Sequence, residues 1–223
     1  MRVRKENIPE KGAAVQKDME SYTIIPYIHG GLVDPATLRK IADVAEKYQV
    51  EFIKMTSEHN IALFGVKEED ISEVWNDLGM EPGGHIGKRV RGVSFCTGNT
   101  ACKKGYQDTL KLGLRIDENY RMMETSRKVK ISLSGCTSCC AESAVRDIGL
   151  IGTPKGWKLL VGGTCGLQVR KGDLLLKDLS DDQVIEYIGK ILDYYKKKGT
   201  DKRLGRFIDI IGFNKFSGEV LGL

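Results

Sequence analysis

No run of apolar residues in this 223-residue sequence approaches the ~18 that a membrane-spanning helix needs, so an integral membrane protein is not expected. Aromatic residues make up only 7%, and no dense basic tract carries interleaved aromatics, which argues against a nucleic-acid partner. The formal charge is +5, but the lysines and arginines are spread along the chain; such an excess suits a small anionic substrate or cofactor. The first residues, MRVRKENIPEKG, contain no apolar stretch of the kind a secretory signal needs. A cytoplasmic, reducing location is therefore expected, where cysteine thiolates bind metal rather than pair. No dinucleotide-binding glycine fingerprint and no clear internal repeat are found.

What the sequence does have is glycine, 26 residues of it, and six cysteines. Glycine in that number suggests tight turns and close backbone approach to something bound. Four of the cysteines fall in two pairs, Cys96 and Cys102 in CTGNTAC and Cys136 and Cys140 in SGCTSCC. This C-x5-C then C-x3-C arrangement suits the four thiolate ligands of an iron–sulfur cluster. Structural zinc is the competing metal. It favours two to four residues inside each pair and often takes histidine, and only three histidines are present. Buried inert thiols are the third alternative.

Hydrophobic residues at 41% and charged residues at 29% describe an ordinary globular balance, enough for one large domain or two small ones. Residues 1–20 are charged with little periodicity and read as a loose N-terminal arm. Residues 21–85 read as a small α+β unit of ferredoxin-like type. Its elements are a strand at Tyr22–Ile28, a helix opened by Asp34 and Pro35, strands at Phe52–Met55 and Ile61–Val66, and a helix from Ile71 closed by Gly79. The segment EPGGHIG reads as a boundary, and residues 86–223 form the second domain, of α/β type. There, strands are predicted at Val90–Phe95, Val129–Leu133, Ile148–Ile151 and Trp157–Val161. Helices are predicted over 101–114, from Ala141 to Val145, from a Ser180/Gln183 capping box onward, and around 204–211, with a tail beyond. A helix starting at Ala141 would turn its amides toward the Cys140 thiolate.

With these segments in view, the sequence resembles the sulfite and nitrite reductases that carry sirohaem and a [4Fe–4S] cluster. The cysteine pattern is that family's signature, and RVRGVSFCTGNTAC, RKVKISLSGC, AVRDIGLIG and GWKLLVGG are similar to family segments in the same order. The likeness is greatest to the single-copy members, the small assimilatory-type sulfite reductases and the sirohaem module of NADH-dependent nitrite reductases. It implies a ferredoxin-like half-domain followed by an α/β sirohaem- and [4Fe–4S]-binding domain. Cys96, Cys102, Cys136 and Cys140 would hold the cluster, and Cys140 would also share its sulfur with the sirohaem iron. Arg91, Lys128 and Lys130 match the family cations that face the anion, the two lysines sharing one face if Val129 between them is in a strand. Lys54, Thr56, Gly162 and Gly163 match positions that contact the tetrapyrrole. His59, in the same TSEHN loop as Thr56, is either a further carboxylate contact or a surface histidine.

The resemblance implies six-electron reduction of sulfite to sulfide. Nitrite reduction to ammonia is the alternative, and a non-catalytic iron–sulfur and sirohaem electron carrier is a second. The electrons would come from a separate donor protein such as a ferredoxin or a reductase subunit. Larger members carry two copies of this unit, so a chain with one is expected to complete its site as a homodimer. One departure stands out. Family members carry Arg-x-Pro-Gly-Gly after the first strand, whereas this chain has Tyr27-Ile28-His29-Gly30-Gly31. Cys139 and Cys165 are extra to the signature. Cys139 stands at a small-residue position between two ligands, and Cys165 follows the glycine pair.

Overall fold

The computed structural model describes residues 5–223, which form two compact units dividing between Gly87 and Lys88. The first unit is a four-stranded antiparallel sheet with two helices. In space the strands run β1 (Ala13–Val15), β2 (Tyr22–Ile24), β4 (Ile61–Val66) and β3 (Phe52–Met55). Helix α1 (Pro35–Lys47) starts where Asp34 accepts the Thr37 amide at 2.8 Å and Pro35 presets the first turn. Helix α2 (Ile71–Leu78) ends at Gly79, whose left-handed backbone (φ 57°) lets its amide bond back to Trp75. Both helices bury their apolar faces against the strands, and Ile41, Ile71, Val74 and Leu78 meet Tyr22, Ile24 and Leu63 in one core.

The expectation of a loose arm over residues 1–20 fails for its described part; residues 1–4 lie outside the described residues. Strand β1 pairs in register with β2, Ala13 opposite Ile24, and Ala13 is fully buried. Side chains fasten the segment as well. Asn7 accepts the Val15 amide, Gln16 accepts the Gly65 amide at 2.7 Å, and the Trp75 indole donates to the Lys11 carbonyl. Three residues are too few to display a period, and the charges around them face outward. The strand expected over Tyr22–Ile28 stops at Ile24, because Pro26 leaves the ladder and makes an isolated bridge to Pro82.

The second unit is a five-stranded mixed sheet in the order β5 (Ser94–Phe95), β6 (Ile131–Ser134), β7 (Ile148–Thr153), β8 (Gly156–Val161) and β9 (Asp173–Leu179). The first three strands are parallel and the last three antiparallel. Helix α4 (Thr109–Tyr120) packs on β5 and β6, and α5 (Asp181–Lys198) on β8. Helices α6 (Leu204–Ile211) and α7 (Phe213–Leu221) complete the core through Phe207 and Phe216. The capping box of α5 is present in both directions: Gln183 donates its amide to the Ser180 hydroxyl and accepts the Ser180 amide at 2.9 Å.

Three expectations are corrected here. The helix predicted over 101–114 is two helices, a single turn α3 (Gly98–Ala101) and α4, because Asp108 caps a fresh start by accepting the Lys111 amide. The strand predicted at Val90–Phe95 is reduced to its last two residues plus a bridge from Val90 to Val129. After Cys140 there is no α-helix, only a 3₁₀ turn at Ser143–Val145 entered through Glu142 in a left-handed conformation (φ 57°). Strand β9 and helix α7 were not anticipated.

If β1 belongs to the sheet, Ala13→Asp buries an unpaired charge and lowers the stability of the first unit by several kcal/mol, on the order of 3. Thermal unfolding followed by circular dichroism reads this, and an unchanged melting curve would return residues 5–20 to the status of an arm.

Candidate metal centre

Cys96 and Cys136 lie just beyond the carboxyl ends of the adjacent parallel strands β5 and β6, where open α/β sheets present their ligand-binding loops. The Cys96 amide continues the ladder to the Leu133 carbonyl at 3.2 Å, and the Thr109 hydroxyl donates to the Cys96 carbonyl. Cys102 ends the α3 turn, its amide bonded to Gly98 at 2.9 Å. The second loop is drawn onto the first by backbone bonds: the Tyr106 amide reaches the Gly135 carbonyl at 2.8 Å, and the Gly135 amide donates to Cys96 Sγ at 3.2 Å.

These contacts are possible because the residues concerned are glycines. A Cβ on Gly105 would stand 2.4 Å from the Asn99 nitrogen, and one on Gly135 would stand 2.7 Å from Gly98 Cα. Cys96, Cys102, Cys136 and Cys140 line one cavity of about 280 Å³ with Gly98, Gly105, Ser134 and Gly135. Cys102 and Cys140 are exposed, and Cys96 and Cys136 are half-buried. Backbone and hydroxyl hydrogen bonds from Ser138, with a smaller pull from Lys104, hold the Cys136 thiol below its usual value and so favour the thiolate.

Among the described residues, no three side chains of His, Cys, Asp or Glu converge as they would on a single ion. The four thiols ring a cavity instead. Such a ring suits the separated corners of a cluster better than the ~2.3 Å bonds of one zinc ion. Four thiols on one small cavity, with backbone amides donating to the Cys96 and Cys136 sulfurs, are what a [4Fe–4S] group needs, so the residues fit it.

The amides expected to face Cys140 from a helix are used otherwise. The Ala141 amide donates to Ser134 Oγ at 3.2 Å and the Ala144 amide to Cys139 Sγ at 3.2 Å. Cys139 is half-buried with a left-handed backbone (φ 55°), so its thiol closes the turn. Three buried hydroxyls missed by sequence reasoning hold this loop. Ser132 donates to the Ala141 carbonyl at 2.6 Å, and Ser134 and Ser143 share a bond of 2.9 Å. The available signal was ISLS, a strand whose polar positions are as buried as its apolar ones.

The backbone at Arg91 is bonded to the segment that carries Lys128 and Lys130, which lies just before β6 rather than in a strand. The Arg91 amide bonds to the Val129 carbonyl at 2.9 Å, and Val129 is fully buried between the two lysines. Arg91 is 7% exposed, Lys128 exposed and Lys130 half-buried. Gly162 and Gly163 are explained by internal packing: a Cβ on Gly162 would meet Ile208 at 2.9 Å, and one on Gly163 the Arg146 carbonyl at 2.5 Å. Cys165 is exposed in the loop that follows, whose base is paired between Thr164 and Arg170.

Lys54, Thr56 and His59 belong to the first unit. Lys54 is exposed on β3, and Thr56 Oγ1 closes the β3–β4 turn by accepting the Asn60 amide at 3.1 Å. His59 is exposed with a left-handed backbone (φ 59°) and packs over Gly31, where a Cβ would stand 2.7 Å from its own. Tyr27 is buried, with its ring edge-on to His29 at 4.6 Å.

Comparison with known proteins agrees with this architecture. Residues 86–222 match the nitrite and sulphite reductase 4Fe-4S domain, and residues 14–80 the nitrite/sulfite reductase ferredoxin-like half domain. The chain is 38% identical to the assimilatory-type sulfite reductase of Nitratidesulfovibrio vulgaris, over 95% of this chain and 98% of that protein. It is 42% identical to the nitrite reductase [NAD(P)H] of Bacillus subtilis, over 91% of this chain but only 25% of the relative, so it spans a quarter of that protein's length. The crystal structure of dissimilatory sulfite reductase I superposes with a TM-score of 0.79 at 17% identity, over 91% of this chain and 69% of that one, which shows a shared fold. With both family regions matched in order along one chain, the protein belongs to the nitrite and sulphite reductase family.

Proposed function

We propose that this chain is a reductase that converts sulfite to sulfide with six electrons from a separate donor protein, using a [4Fe–4S] cluster and sirohaem. The observation that carries the reading is the ring of four thiols around one cavity at the ends of β5 and β6. Near-full-length correspondence with an assimilatory-type sulfite reductase favours sulfite over nitrite as the substrate. Nitrite remains the second reading, because a nitrite reductase is also similar over 91% of the chain.

In this reading Cys96, Cys102, Cys136 and Cys140 hold the cluster. The exposed Cys140 sulfur would also hold sirohaem, with the backbone at Gly162 and Gly163 close to it, and Lys54, Thr56 and His59 of the first unit match positions assigned to tetrapyrrole contact in the family. When bound, the paired cofactors supply electrons to the substrate's central atom. The protein's own contribution is electrostatic. Sulfite is an anion, and each departing oxygen leaves with negative charge and needs protons. Arg91 is a permanent guanidinium on a segment bonded to the one that carries the two lysines, and in this reading it orients the anion. Lys128 and Lys130 stabilise charge as it develops on the leaving oxygen, and an ammonium can hand over a proton there. Completion of the site by a second copy of the chain is part of the proposal, and its readout is the mass of the loaded protein in solution.

Two measurements test it. Gly105→Ala should abolish cluster loading, because its Cβ has no place between the loops; iron and sulfide content per chain would fall to near zero while the first unit stays folded. Retention of full iron content would show that the close contact at Gly105 is not what brings the thiols to one cavity. Turnover with reduced viologen should yield sulfide from sulfite, and Lys130→Met should lower kcat by about a hundredfold, within the usual range for a proton donor. Full cofactor loading with neither sulfide nor ammonium formed would instead make the chain an electron carrier.

A further inference from the structure

Asp147 is fully buried, and the reaction as proposed does not use it. Its place in the sheet is specific. The parallel ladder between β6 and β7 begins at Ile131 opposite Ile148, with the Ile148 amide donating to the Lys130 carbonyl at 3.1 Å. The amide of Lys130 itself falls one step outside that ladder. Asp147 Oδ2 accepts it at 2.9 Å, so a carboxylate stands where the next strand carbonyl would be. The Asp147 carbonyl accepts the Gly162 amide at 2.7 Å, where β8 ends. One residue thus closes the same end of β6, β7 and β8.

The carboxylate is itself held. Arg203, the residue that precedes α6, donates Nη2 to the same Oδ2 at 2.5 Å and Nη1 to Thr164 Oγ1 at 3.2 Å. Burial pushes the Asp147 carboxyl up, and Arg203 pulls it back. The other oxygen, Oδ1, has no hydrogen-bond partner among the described residues. A buried carboxylate with one oxygen left unmet is costly, and a neutral side chain packs there more cheaply. A second buried carboxylate, Asp117, accepts the Val93 amide at 3.1 Å just before β5, so two strand starts of this sheet are closed by an acid.

We infer that Asp147, anchored by Arg203, is a positioning residue for Lys130: it fixes the backbone from which the lysine ammonium reaches the substrate. This rests on the reading of Lys130 given above. A lysine side chain has a long flexible stem, so its ammonium is placed only as well as its own backbone is. The Asp147 carboxylate and the Ile148 amide grip the Lys130 amide and carbonyl from the same neighbouring strand. With both in place, the peptide groups on either side of residue 130 are each held by a hydrogen bond.

The test uses cofactor-loaded protein throughout. Asp147→Ala should keep the visible spectrum of the wild type, speed amide hydrogen exchange in a peptide covering residues 129–131, and lower kcat for sulfite by about ten- to a hundredfold, the penalty of a misplaced catalytic group. Asp147→Asn can present its amide oxygen to the Lys130 amide and should recover most of both losses. In a Lys130→Met background Asp147→Ala should cost nothing further, since a residue that acts through Lys130 has nothing left to position. Additive losses, or faster exchange at an unchanged rate, would overturn the inference. If Asp147→Ala does not fold, Arg203→Met carries the same cycle, with a smaller loss expected. Absence of turnover in the wild type refutes the proposed reaction, and the exchange measurement still reports separately whether Asp147 holds residue 130.

Discussion

The second unit depends on a contact between two loops that leaves no room for side chains. Gly98, Gly105 and Gly135 bring backbone against backbone at distances where any Cβ would overlap its neighbour, and Gly152 extends the contact to the Gly135 carbonyl. Only through this stack do cysteines distant in the chain reach the same cavity. Gly98 adds a positive φ of 54°, a region that side-chain-bearing residues seldom adopt. A bound group attached to both loops would repay the entropy lost in ordering so much glycine, which is how metal binding and local folding become coupled.

The strands set where that stack stands. Strands β5 and β6 are short and parallel, and a cysteine follows each within two residues. Their inward polar positions are filled by Ser132 and Ser134, whose hydroxyls serve the 141–143 backbone where a helix would have used its own carbonyls. Buried hydroxyls are tolerated because each has a partner. At the other end of β6 lies Lys130. Four residues of strand separate it from the thiol loop, ~13 Å at the usual rise. The proposed site is therefore not a cluster of neighbours in sequence or along one loop. Its two proposed chemistries, thiolate and cation, are kept at opposite ends of one strand.

Much of this was legible from sequence. The helices of the first unit announce themselves by Asp34-Pro35 and Gly79, and α5 by its capping box, since these are local chemical signals read within a few residues. The cysteine spacing pointed to a cluster for a similar reason, because thiolates recur at few spacings. What escaped was whatever depends on distant partners. Strand β1 has three residues and owes its existence to β2. The helix expected after Cys140 looked sound from Ala141 to Val145, yet Ser134 and Cys139 take the amides a helix would have started from. Gly162 and Gly163 pack against Ile208 and the 145–146 backbone, a close approach inside the protein that the glycine pair alone does not specify. Small residues signal close approach without saying to what.

The departures at Tyr27 and His29 follow from how the first unit is packed. Tyr27 is 4% exposed, its amide bonds to the Glu81 carbonyl at 2.8 Å, and its ring meets the His29 imidazole edge-on. An arginine in the same place would carry a charge into that packing, at a cost that only a bound anion or carboxylate offsets. Next to it, Ile28 donates its amide to Asn60 Oδ1 at 2.8 Å, so the 27–31 turn and the TSEHN loop are locked as one surface. That surface offers the Tyr27–His29 ring pair and two exposed histidines, His29 and His59, where the family pattern offers a guanidinium. In the proposed reaction the positive charge that receives the anion comes from Arg91, Lys128 and Lys130 of the second unit, and the Asp147–Arg203 pair braces the backbone beneath Lys130.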